Sequence, residues 1–282
     1  MNILAHNPYI TKIHTFENNI QEVIAQLKLE NFDLIIDLHK NLRSFILKKQ
    51  LAVKSISYDK INFEKWLMVK LKINRLPEKH IVDRYFDALV PLSVENDNQG
   101  LDYFLENNGR QIKALPDSFP EKYVVFSLAG TYITKKIPLQ KWKEMAALSP
   151  LPIVLLGGDN EKEMGEVLEK EFKKQTIFNA CGLISLNQSA AVISDAQLII
   201  TGDTGLMHIA AAFKKKIVSL WGNTIPEFGM YPYFPQNQNL SIVIENKNLK
   251  CRPCSKLGFD SCPEKHFNCM MQLDVSNVFR QI

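Results

Sequence analysis

Runs of β-branched and aliphatic residues alternate along this chain with segments of helical period, and no other feature restricts its fold as much. Such alternation is the pattern of an α/β protein with parallel sheets, because parallel neighbours need a crossover, usually a helix, between them. In the first half, Asn18 to Leu29 predicts an amphipathic helix and Phe32 to Leu38 a short buried strand. Leu42 to Lys49 continues as a helix, Val53 to Tyr58 as a strand, and Ile61 to Leu89 as mostly helix. Between Glu95 and Lys122 the composition turns polar around Pro116 and Pro120, which marks a domain linker. The second half restarts the alternation. It predicts strands at Tyr123–Leu128, Ile153–Leu156, Ile177–Phe178, Leu198–Thr201 and Ile217–Leu220. Helices are expected from Leu139, over Glu161 to Lys173, Leu186 to Ser194 and Leu206 to Phe213, completing a doubly wound domain.

Composition removes several classes. With 282 residues, 46% hydrophobic and 23% charged, the chain is neither disordered nor collagen-like, and its length suits two domains. A net charge of +4 does not call for nucleic acid as a partner. There is no uninterrupted apolar run of about 18 residues for a membrane span. Met1 to Pro8 lacks the basic start and apolar core of a signal peptide, and five cysteines are too few for a disulfide scaffold. The expectation is a cytoplasmic protein.

In doubly wound sheets ligands bind beyond the carboxyl ends of the strands. The sharpest of these loops is Thr201-Gly202-Asp203-Thr204-Gly205-Leu206-Met207-His208. A strand ends, a small-residue turn follows and a helix begins near Thr204, so its unpaired amides and dipole suit a phosphate. Gly202 and Gly205 permit close backbone approach, and His208 follows Thr204 by one helical turn. The plainer alternative is an Asp/Thr N-cap with a core histidine. A second loop, Ala129 to Pro138, carries hydroxyls and ends in Lys135 and Lys136, where a lysine can neutralise a diphosphate. A third, Gly157-Gly158-Asp159-Asn160-Glu161, offers a carboxylate to ribose hydroxyls or merely caps a helix. Neither Gly-x-Gly-x-x-Gly nor a Walker A sequence is present, which speaks against NAD-type and P-loop chemistry.

In the first half Lys40 and Arg43 stand three apart on an emerging helix and can meet an anionic substrate, or form a solvated helix start. Near the end, Cys251, Cys254, Cys262 and Cys269 could ligate a structural zinc through thiolates, the alternative being buried free thiols. The Lys214-Lys215-Lys216 run offers peripheral electrostatic membrane contact or a solvated turn.

Taken together, Gly202 to Ala212, Leu220-Trp221-Gly222-Asn223-Thr224-Ile225-Pro226, Lys135-Lys136-Ile137-Pro138, Gly157 to Glu161 and Cys251-Arg252-Pro253-Cys254 resemble glycosyltransferase family 9, the lipopolysaccharide heptosyltransferases. The resemblance implies a GT-B-like α/β architecture of two Rossmann-like domains. The first, 1–118, would be acceptor-side and incomplete; the second, 119–282, would bind a nucleotide-sugar such as ADP-heptose and carry the Cys-rich tail. By motif position Thr131 and Lys135 would contact the diphosphate, and Asp203, Thr204, Gly205 and His208 phosphate and sugar. Glu161 would hold the ribose and Ile184 the adenine. Lys40 and Arg43 would face a lipid-linked, anionic glycan acceptor. The implied chemistry is inverting transfer that needs no metal. The resembled family opens with a strand and a Gly-Asp turn whose aspartate deprotonates the acceptor, whereas Met1 to Ile10 resembles a point beyond that turn. The catalytic base is therefore unassigned, with Asp37 and His39 as candidates, and a non-catalytic nucleotide-sugar binder is the alternative.

Overall fold

The computed structural model describes residues 3–106, 114–280 and 282. The first half begins with helix α1 (Gln21–Leu29), strand β1 (Ile35–Asp37), helix α2 (Leu42–Leu51) and strand β2 (Ser55–Ser57). It continues through helices α3 (Asn62–Leu71) and α4 (Ile81–Asp87). The strands β1 and β2 pair in parallel, Ile36 opposite Ile56. Both are shorter than the apolar runs that contain them, since a two-stranded sheet offers each strand a partner on one side only. The helical stretch expected over Ile61 to Leu89 is two helices; Lys72 closes the first in a left-handed conformation, and Pro77 lies in the gap between them. A small core of Ile20, Val23 and Ile24 packs under α2 through Ile46 and Leu47.

The second half is a six-stranded parallel sheet built from β3 (Val124–Ser127), β4 (Ile153–Leu156), β5 (Ile177–Asn179), β6 (Leu198–Thr201), β7 (Ile217–Trp221) and β8 (Ser241–Glu245). Their order is β5-β4-β3-β6-β7-β8. Helices α5 (Leu139–Leu148), α6 (Lys162–Glu171), α7 (Leu186–Asp195), α8 (Gly205–Ala212) and the short α9 (Asn268–Met271) complete it. Alternate residues of the inner strands enter opposite cores, as the pleat requires. Val124 and Phe126 face the core that holds Trp142, Met145 and Leu168, and Val125 faces the one that holds Ala190, Ile193 and Met207. Phe126 stacks on Trp142 with ring centroids 5.0 Å apart. A sheet covered on both faces reads as continuous aliphatic runs, which is why these strands are legible in the sequence.

β3 and β6 are neighbours, Val124 opposite Leu198, and the strand order runs outward in both directions from that pair. This is a topological switch point, where the loops leaving two adjacent strands part and open a crevice. The halves meet along α4 and the loop after β7. Ile81 N–H donates to Gly229 O at 2.8 Å, and His80 Nε2 lies 2.8 Å from Tyr231 O. Gly229 has φ +82°, and a Cβ there would come within 2.7 Å of Lys79 O, so glycine is required where the two halves touch. Among the described residues no helix is long and apolar enough to cross a membrane.

Candidate functional site

At the switch point the loop after β3 meets the loop after β6. Lys135 Nζ lies 2.6 Å from Asp203 Oδ2, and Thr224, from the loop after β7, donates its hydroxyl to the same oxygen at 3.0 Å. Gly202 makes this approach possible, because a Cβ on it would stand 2.9 Å from Lys135 O. The plainer reading of Asp203 as a simple helix cap does not fit this geometry, since its carboxylate turns to Lys135 and Thr224. Thr204 is the N-cap residue of α8 but makes no side-chain cap bond; its hydroxyl pairs with that of Thr201 at 3.1 Å. The side chain of the N-cap residue thus gives the first amides of α8 no acceptor, an arrangement suited to an anion. At Gly205 an added Cβ would meet nothing within 4 Å. Packing does not demand that glycine, and its absence of side chain keeps the helix mouth open.

His208 sits one turn into α8 and is half-buried. Burial lowers its pKa below the ordinary histidine value; the Asp203 carboxylate opposes that shift and the Lys135 ammonium adds to it. The imidazole is neutral at physiological pH and can give or accept one hydrogen bond at each nitrogen.

Glu161 belongs to the short 3₁₀ turn Asp159–Glu161 after β4. Its Oε2 accepts from Gly158 N–H at 2.9 Å and its Oε1 pairs with Lys136 Nζ at 2.6 Å, with the residue 5% exposed. The carboxylate expected to face a ribose is held by two partners within the protein. Beneath it, burial and then the Glu161 charge push the Cys181 thiol up to about 12. Thr131 is exposed at the rim of the β3 loop, whereas Thr134 is buried and bonds Phe259 through both its backbone and its hydroxyl. Ile184 packs against the core on the α7 side of the sheet.

Across the molecule, Lys40 and Arg43 flank the start of α2. Both are exposed; Lys40 has φ +46°, and the Arg43 guanidinium lies 5.9 Å from the Phe16 ring centroid. Asp37 is fully committed. Its Oδ1 accepts the His39 and Lys40 amides at 3.0 and 2.6 Å, and its Oδ2 accepts Ser44 Oγ at 2.8 Å and pairs with Lys48 at 2.8 Å. Burial would raise its pKa, but the Lys48 ammonium and these hydrogen bonds outweigh it and hold the carboxyl far below the usual range. Such a group is a weak proton acceptor.

The residue that sequence reasoning missed is Arg252. The residue is 7% exposed, and its guanidinium forks between Gly222 O, Thr224 O at 2.8 Å, Asn246 O at 3.0 Å and Glu245 Oε2 at 2.8 Å. It fixes the loop that carries Thr224. The Cys-Arg-Pro-Cys sequence is legible as a family motif and for its thiols, but nothing in it gives Arg252 a role. All five cysteines are free, and among the described residues no three His, Cys, Asp or Glu side chains are grouped to hold a metal. Cys251 Sγ lies 4.0 Å from His266 Nε2, whose other ring nitrogen accepts from Asn268 N–H. Burial first, then the neighbouring Cys251 and Cys269, push Cys254 up to about 12. Of the lysine run, Lys215 donates to Ser194 O at 2.9 Å, tying that turn to α7.

The sequence profile of glycosyltransferase family 9 (heptosyltransferase) matches residues 20–259. Lipopolysaccharide heptosyltransferase 1 of Pseudomonas aeruginosa is 28% identical over 246 residues, 82% of this chain and 64% of that protein. Lipooligosaccharide heptosyltransferase 2 of Haemophilus influenzae is 28% identical over 121 residues, which span 42% of this chain and 34% of the relative. Among solved structures, a family 9 glycosyltransferase from Veillonella parvula superposes with a TM-score of 0.67 at 24% identity, over 86% of this chain and 74% of the other. The E. coli heptosyltransferase WaaC with ADP gives 0.59 at 22% identity, over 93% and 75%. The architecture shared with these structures is GT-B.

Proposed function

The chain belongs to glycosyltransferase family 9, and from that membership and the geometry of the crevice we propose that it transfers a sugar, heptose from ADP-heptose, to a lipopolysaccharide core or related glycan. The observation that carries this reading is the meeting of Lys135, Asp203 and Thr224 beside the uncapped start of α8. A diphosphate entering there finds the α8 amides, the hydroxyls of Thr131 and Thr204, and an ammonium already in place. Lys135 exchanges its carboxylate partner for the phosphate, a stronger charge-assisted contact. Asp203, relieved of Lys135, is free to accept hydroxyls of the sugar, while Thr224 keeps it oriented. His208 donates to phosphate or sugar as a neutral ring. Glu161, steadied by Lys136 and Gly158, presents its remaining lone pairs to the ribose, and Ile184 gives the adenine an apolar wall.

In this proposal residues 1–118 form the acceptor side, with Lys40 and Arg43 toward the anionic, lipid-linked glycan, and 119–282 the donor side. Displacement is direct and inverting, with charge on the leaving diphosphate balanced by Lys135 and the helix dipole rather than by a metal. The engagement of Asp37 by Lys48, Ser44 and two amides favours a second reading, in which the chain binds nucleotide-sugar without turnover. Calorimetry with ADP and with ADP-heptose, followed by a transfer assay, tests both. Binding with transfer supports the enzyme, binding without transfer the second reading, and no binding overturns both. A structural zinc on Cys251, Cys254, Cys262 and Cys269 is proposed separately; elemental analysis showing less than a tenth of an equivalent in freshly purified protein would refute it.

A further inference from the structure

Helix α3 is tied to the second half at both of its ends. Lys72 Nζ donates to Cys251 O at 3.2 Å and to Pro253 O at 2.7 Å, and Lys256 Nζ donates to Asn62 Oδ1 at 3.4 Å. Lys65, Met68 and Val69, spaced by three and four, share the half-buried inward side. Phe63, Trp66 and Lys70 have the same spacing and share the outward side. There Phe63 is 62% exposed and Trp66 50%, their rings stacked with centroids 6.2 Å apart. Leu257, next to the lysine that reaches Asn62, is 54% exposed. Single exposed apolar residues are ordinary, but adjoining large ones from two segments mark an interaction surface.

The charges around the rings select the partner. From Lys60 to Arg75 the sequence sets Lys60, Lys65, Lys70, Lys72 and Arg75 against one acid, Glu64. The net charge of that stretch, +4, equals that of the whole chain, so the rest of the sequence is balanced. A second copy is a poor occupant, because a two-fold interface would press this patch against itself, lysine against lysine. An anionic bilayer satisfies both parts of the surface. Aromatic rings enter the boundary of headgroups and acyl chains, and lysines lay their stems along it with the ammonium groups among phosphates.

We infer that the outward side of α3, Phe63 and Trp66 with Lys60, Lys70 and the adjoining Leu257, docks on an anionic lipid bilayer and lies in its interface without crossing it. The loop that carries Lys256 and Leu257 runs on to Phe259, whose N–H donates to Thr134 Oγ1 at 2.8 Å, one residue before Lys135. Docking thus links the crevice loop to the lipid surface, where a lipid-linked acceptor arrives under the proposed function. That link rests on the transferase reading; the docking surface does not.

Vesicles of phosphatidylcholine, with and without phosphatidylglycerol, are the probe, added to the full chain and read by co-sedimentation and tryptophan emission. The other two tryptophans, Trp142 and Trp221, are 0% and 1% exposed, so a lipid-dependent blue shift belongs to Trp66. Wild type is expected to bind the phosphatidylglycerol vesicles with that shift, and less tightly as salt is added. Phe63→Ser and Lys70→Glu should each weaken binding roughly tenfold, with melting temperature and ADP affinity unchanged. Lys214→Glu makes the same change of charge on the turn after α8 and should leave vesicle binding nearly unchanged; an equal loss would mean general charge attraction and overturn the assignment to α3. No binding to either vesicle, binding without a change in emission, or equal affinity in Phe63→Ser would also overturn it. Equal binding to phosphatidylcholine alone would overturn the choice of anionic lipid. Self-association in the ultracentrifuge that Phe63→Ser abolishes would make this face a seam between copies instead. Absence of ADP binding with vesicle binding intact removes the transferase reading and leaves the docking surface standing.

Discussion

The Lys135 ammonium and the Asp203 carboxylate, 68 positions apart in sequence, lie 2.6 Å from each other across the switch point of the sheet. The two charges neutralise each other, and in the proposed function an entering anion competes for the lysine. Lys135→Ala removes the charge that a diphosphate would take over. ADP affinity is expected to fall roughly 10- to 100-fold, the range of one charge-assisted contact, with the melting temperature nearly unchanged. Paired calorimetry and thermal melts check this; a large loss of stability with unaltered affinity would assign the pair to structure alone.

Gly205 separates folding from binding. Since a Cβ there meets open space, Gly205→Ala costs no clash and gains helix propensity, about 1 kcal/mol when fully realised. The same methyl group intrudes where a phosphate approaches the α8 amides. The variant should melt at or above the wild-type temperature while binding ADP at least tenfold more weakly. Unchanged affinity would mean that the nucleotide does not approach this helix start.

Arg252→Lys tests the fork behind the crevice. Lysine keeps the charge but cannot span Gly222 O, Thr224 O and Glu245 together. A loss of about 2–4 kcal/mol in denaturant unfolding is expected, typical of a buried charge left with incomplete partners. Nucleotide binding should weaken as well, because Thr224 loses its backing.

Acid should loosen the first half through Asp37. Its carboxyl is held far below the unfolded value of about 4, so below that value the unfolded chain binds a proton that the folded chain refuses. The contribution is complete above about pH 5 and declines as the pH falls toward the depressed folded value. Urea titrations from pH 6 to pH 2.5 should show this decline, and Asp37→Asn should be less stable at pH 6 with a flatter acid limb.

The strands of the second half were legible because burial on both faces makes each an unbroken aliphatic run, and Leu198–Thr201 is found at its expected limits. β8 was not anticipated. It is an edge strand, its residues are only partly covered, and Ser241 to Glu245 lacks the fully apolar run of the inner strands. In the first half the reverse error occurs: seven residues from Phe32 read as strand, but only Ile35–Asp37 find a partner. The loops bearing Lys135, Asp203 and His208 were identifiable from strand ends and small residues. Pairings between loops were not, because the crossing order of strands decides which loops meet and nothing local encodes it. Hence neither the hold of Lys136 on Glu161 nor the fork that Arg252 makes has a signature in the local sequence.

Lys135, Asp203 and Thr224 leave three different strands, and they become neighbours only once β3, β6 and β7 have aligned. Long-range parallel pairing is slow to establish. A nucleotide that requires all three side chains is blind to any chain whose sheet is half assembled, and it stabilises only the finished arrangement. Under the proposed function, the fraction of a preparation that binds ADP is thus a census of molecules that have completed their central strands.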